Sequence, residues 1–152
     1  MMFTYQDSLL SYVSVKGRLC GKAYDMMARV YKNKGDYQRS LDYFKQSEII
    51  LKGVNDKKSL LSTYINKLTL FVEQKSNLTS NDFKVLKTEV LQLMDEIEAS
   101  DRKRLKILFN LGAILYNNQK YDASSVYYNK SLPIAEKLED SLRIAQIYIN
   151  KA

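Results

Sequence analysis

The chain has 152 residues, of which 45% are hydrophobic, and its formal net charge is +7. That hydrophobic fraction is enough for a packed core, while one proline and five glycines favour helices over a sandwich or a disordered chain. The absence of histidine removes the most common general base and metal ligand, and the single Cys20 excludes an internal disulfide or a cysteine-based zinc site. The composition therefore argues against an enzyme or a metal protein and favours a reducing compartment, which we expect to be the cytoplasm.

Apolar residues recur at helical spacing along almost the whole chain, and no segment alternates as a strand would. A short amphipathic segment comes first, three helix pairs follow, and a further helix begins near the end. The predicted boundaries are residues 4–16 for the first half-repeat helix, 18–53 for repeat 1, 57–99 for an irregular repeat 2, 101–138 for repeat 3 and 140–152 for the start of another repeat. The sequence thus opens and stops inside incomplete pairs, which predicts a fragment of a larger protein.

Polar residues mark the ends of the predicted helices. Gly35-Asp36 interrupts the first pair, Asp56 and Ser100 are placed to cap the helices that follow them, and the polar residues 74–82 predict a loop. Pro133 lies inside the second helix of repeat 3, where it removes a backbone donor and clashes with the preceding turn. We expect a kink just before this proline or an early end of the helix.

Two segments of the chain, residues 21–67 and 105–151, are copies of one pattern displaced by 84 residues. The tetrapeptide Tyr-Ile-Asn-Lys at 64–67 returns letter for letter at 148–151. Eight further positions match in the same register, and they pair Lys22, Asn33, Tyr37, Ser40, Tyr43, Ser47, Ile50 and Asp56 with Lys106, Asn117, Tyr121, Ser124, Tyr127, Ser131, Ile134 and Asp140. A fixed period is the signature of a repeat architecture, and repeat arrays present long surfaces that bind other chains.

Large and small residues follow one order in the first and third pairs. The residues are Phe109, Asn110, Leu111, Gly112, Leu115, Tyr116, Tyr121, Ser124, Tyr128 and Ser131 in the third pair, and Tyr24, Met27, Ala28, Tyr31, Gly35, Tyr37, Ser40, Phe44 and Ser47 in the first. This order resembles that of the tetratricopeptide repeat. The middle pair fits with an insertion around 74–82, and the period of about 40–42 residues exceeds the usual ~34. The resemblance implies an all-α fold of antiparallel helix pairs stacked as a right-handed superhelix, an α-solenoid.

The resemblance also implies a binding groove lined by the first helix of each pair. Asn66, Asn110 and Asn150 occupy the place of the family's peptide-holding asparagine, whose amide donates and accepts at once, as an extended backbone requires. The alternative is that these asparagines cap or bridge neighbouring helices. Further candidate groove residues are Lys22 and Lys106 at the edge, with Arg29, Asn33, Tyr116 and Asn117 further along.

The bound segment is expected to be a protein or peptide, extended or helical and acidic, since the chain is basic. A chaperone-tail clamp is disfavoured because Asp25 and Arg29 stand where that clamp needs a lysine and an asparagine. The basic cluster Arg102-Lys103-Arg104 is interpreted as the solvated first turn of a helix. We expect no cofactor, no metal and no membrane span. We also expect no direct binding of nucleic acid, because the tyrosines recur at matched repeat positions, which indicates that they pack between helices.

The sequence therefore predicts a protein- or peptide-binding module, the sensor or partner-recognition part of a larger regulatory protein. The alternative is a structural scaffold that does not switch, or a self-assembling array whose exposed half-repeats pair between chains. A peptide sensor would change shape on binding, and a self-assembling array would change its mass with concentration.

Overall fold

The structure is a computed structural model, and it describes residues 5–75 and 81–151. The helical periodicity of the sequence corresponds to helices throughout these residues. These residues form seven α-helices and no strand, which confirms the all-α prediction. The helices are α1 (Tyr5–Asn33), α2 (Tyr37–Gly53), α3 (Lys57–Gln74), α4 (Asn81–Glu96), α5 (Asp101–Asn117), α6 (Tyr121–Lys137) and α7 (Ser141–Lys151). The centre of the predicted loop, residues 76–80, lies outside the described residues.

The chain divides into two compact units, residues 1–63 and 64–152. In the first unit, α1 packs along α2. In the second unit, α5 packs along α6, and α6 contacts α7. The core of the second unit is a cluster of buried side chains from these three helices, namely Leu105, Phe109, Tyr128, Ala135 and Ile147.

The beginning of the chain differs from the prediction, because the helix expected at 4–16 and the first helix of repeat 1 are one helix of 29 residues. Gly17, which separates the two predicted segments, is helical rather than a break. A single glycine inside a helix costs only about 1 kcal/mol, which neighbouring turns easily outweigh. Gly17 is instead a point of close approach, since a Cβ atom there would lie 2.6 Å from Cγ1 of Val54.

The links between helices share one backbone device. A residue with positive φ stands in each described link, and these residues are Gly35, Asn55, Glu98, Gln119 and Glu139. The next residue donates its N–H back into the last helical turn, as in the 2.9 Å bond from Asp36 to the carbonyl of Tyr31. This arrangement satisfies carbonyl groups that the end of a helix would otherwise leave unpaired.

The predicted caps are also present. A carboxylate oxygen of Asp56 accepts the N–H of Ser59 at 3.2 Å, and the hydroxyl of Ser100 accepts the N–H of Lys103 at 3.4 Å. The early helix end at Pro133 was wrong, since α6 continues to Lys137. Pro133 is exposed. The carbonyl that loses its donor therefore lies on the solvent side, where water can replace the missing bond.

Small residues let the two helices of a pair approach each other, and they do so at matched repeat positions. The buried hydroxyl of Ser40 donates to the carbonyl of Ala28 at 2.7 Å, and that of Ser124 donates to the carbonyl of Gly112 at 2.8 Å. A Cβ atom on Gly112 would lie 2.8 Å from the ring of the buried Tyr128. The absence of a side chain at Gly112 is therefore required for α6 to pack on α5.

Gly112→Ala should destabilise the protein by about 1–3 kcal/mol, because the added methyl group overpacks a site whose aromatic neighbour has no room to move. The loss is expected although alanine is the better helix former by about 1 kcal/mol. Gly53→Ala is the matched control, since a Cβ atom there meets nothing within 4 Å. Urea unfolding followed by circular dichroism measures both. Equal stability of the two variants would contradict the packing argument.

Asp56 caps α3 and also forms an ion pair with Arg18 of α1. Burial raises the pKa of its carboxyl, but the bonds from Ser59 and the charges of Arg18 and Lys22 outweigh burial and leave the pKa below its usual value. The guanidinium of Arg18 lies 3.1 Å from this carboxylate. The carboxylate form is thus the form that stabilises the fold.

Asp56→Asn keeps a capping oxygen but removes the charge. Because the pKa is lowered on folding, the stabilisation is present above the ordinary aspartate pKa of about 3.9 and is lost as the pH falls through the folded value. We expect the variant to be about 1 kcal/mol less stable at pH 7, with a smaller difference at pH 3. Unfolding curves across this range test the prediction, and a difference that grows on acidification would contradict it.

Candidate functional site

The predicted groove asparagines of the second unit bond to neighbouring helices. Nδ2 of Asn110 on α5 donates to Oγ1 of Thr69 on α3 at 3.2 Å, and Nδ2 of Asn117 is 3.4 Å from the carbonyl of Val72 on the same helix. Asn66 lies half-buried on α3. The bond to Thr69 uses one N–H of Asn110, while the amide also carries a second N–H and a carbonyl oxygen. The bridging alternative is thus observed for Asn110, Asn117 makes a similar contact, and peptide binding stays a prediction.

Asn150 connects α7 to α6. Its Nδ2 donates to the hydroxyl of Tyr128 at 2.9 Å. Burial raises the pKa of Tyr128, and the side-chain bonds with Asn150 and Ser124 lower it only in part. The phenol is therefore neutral at physiological pH and serves as a fixed acceptor for Asn150.

The candidate residues of the first unit have different surroundings. Nε of Arg29 lies 3.2 Å from the carboxylate of the buried Asp25, so its charge is already compensated within α1. Lys22 is exposed and lies close enough to Asp56 to lower the pKa of that carboxyl. Asn33 is exposed as the last residue of α1. None of these three positions lines the cavity between α1 and α2 that is described below.

Tyr116 belongs to the packing of α5 on α6. Its ring meets that of Tyr121 edge-on, with 5.3 Å between centroids, and it lies against the buried cluster of the second unit. Such edge-to-face pairs add about 0.5–1.5 kcal/mol beyond the burial of area. The contacts of Tyr116 are therefore those of a residue that packs the helix pair together.

A basic pocket is present where α5 faces the start of α7. The cavity has a volume of about 370 Å³ and is lined by Arg102, Leu105, Lys106, Leu138, Asp140 and Arg143. Three cations and one carboxylate thus surround it, on an apolar floor of two leucines. Lys106 is the predicted groove residue that this pocket contains.

The single carboxylate of the basic pocket is already used. Asp140 accepts the N–H of Arg143 at 3.1 Å, which caps α7, and its other oxygen lies 3.7 Å from Nε of Arg143. The Arg143 guanidinium stands 4.6 Å from the centroid of the Phe109 ring. Arg143 is held between a carboxylate and an aromatic face, while Lys106 and Arg102 on α5 are exposed. The pocket therefore has an excess of positive charge that suits an anionic group.

Two of these residues were missed by the sequence argument. Arg102 was interpreted as part of a solvated helical turn; it is exposed, and it also lines the basic pocket. Arg143 has no match in the other copy, where Ser59 stands. The sequence signal that could have identified Arg143 is its position three residues after the capping Asp140. At that position a side chain can reach back toward the cap and the end of the preceding helix.

A second cavity, of about 380 Å³, lies in the first unit between α1 and α2. Its walls include Tyr31 and Tyr43, whose rings stack with centroids 5.4 Å apart, and Arg39, whose guanidinium lies 5.5 Å from the Tyr31 centroid. None of the predicted groove residues lines it. The stacked rings and the cation are contacts between α1 and α2, so this cavity belongs to the packing of the helix pair.

Within residues 5–75 and 81–151, no group of His, Cys, Asp or Glu side chains is arranged to hold a metal ion. No helix in this part of the chain combines the length and the apolar character that a membrane crossing needs.

Comparison with known families agrees with the resemblance seen in the sequence. The family model described as tetratricopeptide repeat matches residues 21–48 and 105–137. The matched segments lie on α1 with α2 and on α5 with α6, the two pairs in which the resemblance is strongest. Comparison with curated proteins gave no match.

Proposed function

We propose that this chain, two segments of which match the tetratricopeptide repeat family, whose members generally bind other proteins, binds an extended acidic segment of a partner protein along α5. The observation that carries the proposal is the basic pocket, in which Arg102, Lys106 and Arg143 face one compensated carboxylate. Lys106 and Asn110 are four residues apart and share one face of the helix. A carboxylate in the pocket would therefore place the peptide backbone beside Asn110.

The groove face of α5 consists of Lys106, Asn110, Ala113 and Asn117. These residues are spaced four, three and four apart, so they form one stripe along the helix. Two are exposed and two are half-buried. The amides supply donors and acceptors for an extended backbone, and the small Ala113 leaves room for that backbone to approach. Asn66 on α3 and Asn150 on α7 stand at the matching repeat positions and extend the proposed stripe to the neighbouring helices.

The charge of the chain supports an acidic ligand. A net charge of +7 raises the local concentration of anionic segments and their rate of association. In the basic pocket, the two leucines lower the polarity around the cations, which strengthens their attraction for a carboxylate. Because Lys106 is exposed, salt screens its share of this attraction over a distance of about 8–10 Å.

We further propose that the chain acts in the cytoplasm as the partner-recognition part of a larger regulatory protein. The support is the period of about 40–42 residues, which resembles that of bacterial peptide-sensing transcription regulators, of kinesin light chains and of the adaptors of spindle orientation, and does not choose among them. A scaffold that does not switch would bind the same peptides without a change in shape. The comparison of scattering profiles with and without bound peptide separates these two roles.

Lys106→Glu should weaken binding of an acidic peptide by about tenfold or more, because it reverses the exposed charge of the basic pocket. Lys84→Glu is the matched control, since it makes the same change of charge at an exposed position of α4. The affinities of labelled peptides from an acidic library, and of the same peptides with Gln and Asn in place of Glu and Asp, are measured by fluorescence anisotropy. The proposal fails if both variants weaken binding equally, or if the amide peptides bind as well as the acidic ones.

Asn110→Ala tests whether the amide binds peptide or only bridges helices. Thr69→Val is the matched control, because it breaks the same 3.2 Å bond and leaves the amide in place. We expect Asn110→Ala to weaken binding of the best acidic peptide about tenfold, through loss of bonds to its backbone. Thr69→Val should leave this affinity within about twofold of the wild type. Equal effects of the two changes would mean that Asn110 acts only as a bridge.

A further inference from the structure

The charged residues of the basic pocket have counterparts in the first unit, 84 residues earlier in the chain. The matched pairs are Arg18 with Arg102, Lys22 with Lys106 and Asp56 with Asp140. In each copy the two cations stand four residues apart on the first helix of a pair, and the aspartate caps the helix that follows the pair. The two units therefore start from the same charged groups, and their contacts can be compared directly.

In the first unit, both cations act on the aspartate of the chain itself. Nε of Arg18 lies 3.1 Å from the carboxylate of Asp56, whose side chain is 12% exposed. Lys22 is close enough to lower the pKa of the same carboxyl. Arg18 is thus held by an internal carboxylate, and a ligand would have to break this ion pair to use its charge.

In the second unit, the aspartate has a different partner. Asp140 accepts the N–H of Arg143 at 3.1 Å and lies 3.7 Å from its Nε. The position of Arg143 is occupied in the first unit by the uncharged Ser59. Within residues 5–75 and 81–151, Arg102 and Lys106 form no ion pair, and both are exposed. Arg143 therefore occupies the carboxylate and leaves the two cations of α5 available to a ligand.

The charge of the basic pocket matches a dianion. Its three cations and one carboxylate leave two positive charges uncompensated. A glutamate or aspartate of a partner neutralises one of them, whereas a phosphorylated side chain carries about −1.5 to −2 at pH 7. Guanidinium groups pair with phosphate oxygens through two parallel N–H bonds. The pocket also lies at the first turns of α5 and α7, where the helix dipoles favour an anion.

We propose that the basic pocket binds a phosphoserine or phosphothreonine of the partner segment, and that Arg143 is the positioning residue that keeps Arg102 and Lys106 available for the phosphate. This inference rests on the function proposed above and names the anionic group that the pocket takes. Without Arg143, Arg102 turns to Asp140 as Arg18 turns to Asp56. The pocket then loses the charge that distinguishes a phosphate from a carboxylate.

The ligand is tested with a library of acidic peptides made in three versions, with phosphoserine, glutamate or serine at one central position. Binding is followed by fluorescence anisotropy. We expect the best phosphoserine peptide to bind at least about tenfold more tightly than its glutamate version, and the serine version to bind most weakly. Equal affinity of the phosphoserine and glutamate versions would overturn the phosphate site and leave the function proposed above in place. Failure of all three versions to bind would overturn both.

The role of Arg143 is tested by exchanging it for the residue of the first unit. Arg143→Ser should reduce the preference for phosphoserine over glutamate to about twofold or less, because Asp140 then attracts Arg102. Arg143→Ser combined with Asp140→Asn should restore the preference to within about threefold of the wild type, since asparagine keeps the cap but has no charge. Equal loss in the single and the double variant would overturn the positioning role.

Arg39→Ser is the matched control for Arg143→Ser. Arg39 also stands three residues after a capping aspartate, Asp36, which accepts its N–H at 3.1 Å and lies 3.5 Å from its Nε. Because Arg39 is outside the basic pocket, this variant should show the preference of the wild type. A similar loss of preference in Arg39→Ser would overturn the assignment of the effect to the pocket.

A nucleic acid also carries phosphate, but each phosphodiester has one negative charge, which suits the pocket less well than a phosphate monoester does. A single-stranded oligonucleotide is therefore measured beside the peptides. We expect it to bind more weakly than the best phosphoserine peptide. Tighter binding of the oligonucleotide, lost in Lys106→Glu, would identify nucleic acid as the occupant and overturn the phosphorylated partner segment.

Discussion

The close approach of the two helices in each pair is the constraint on which the rest of the structure depends. At this distance a serine hydroxyl on the second helix reaches a carbonyl of the first, as Ser40 reaches Ala28 and Ser124 reaches Gly112. The position under the following aromatic ring must then be small, because the Tyr128 ring occupies the space that a side chain on residue 112 would need. The small residues, the buried hydroxyls and the large rings are therefore one packing arrangement, and a change in any of them affects the others.

This packing also decides which face of the first helix remains open. Residues 105, 109 and 112 of α5 are buried toward α6, and Ile107, Leu111 and Ile114 are buried on the opposite side of the helix. Residues 106, 110 and 117 form the stripe between these two buried sides. They are polar because a cation or an amide is tolerated only where water or a hydrogen-bond partner is within reach. The stripe that we propose to bind peptide is thus a consequence of how the pair is packed. Its positions must be polar in any case, so residues that bind peptide can occupy them without disturbing the packing.

The sequence predicted the helices, the packing of α1 on α2 and of α5 on α6, and the caps at Asp56 and Ser100, because these depend on periodicity and on local hydrogen bonds. It did not predict the single long α1, since Gly17 has the appearance of a break and only the contact with Val54 shows its packing role. It also gave no sign of the positive φ at Gln119 and Glu139, two residue types that rarely adopt this conformation. Asp140 and Asp56 are matched caps, yet the residues three positions later differ. Arg143 therefore enters the basic pocket without any repeat signal, because the contact that places it joins distant parts of the sequence.

The basic pocket is joined to the core of the second unit by a continuous set of contacts. The guanidinium of Arg143 lies over Phe109, the Phe109 ring packs on Tyr128, and the Tyr128 hydroxyl accepts from Asn150. The same core that packs α5, α6 and α7 together therefore also holds Arg143 in place. A cation that is already held in this way loses little conformational freedom when an anion binds, which is the reason that the pocket suits a carboxylate better than a freely moving surface lysine does.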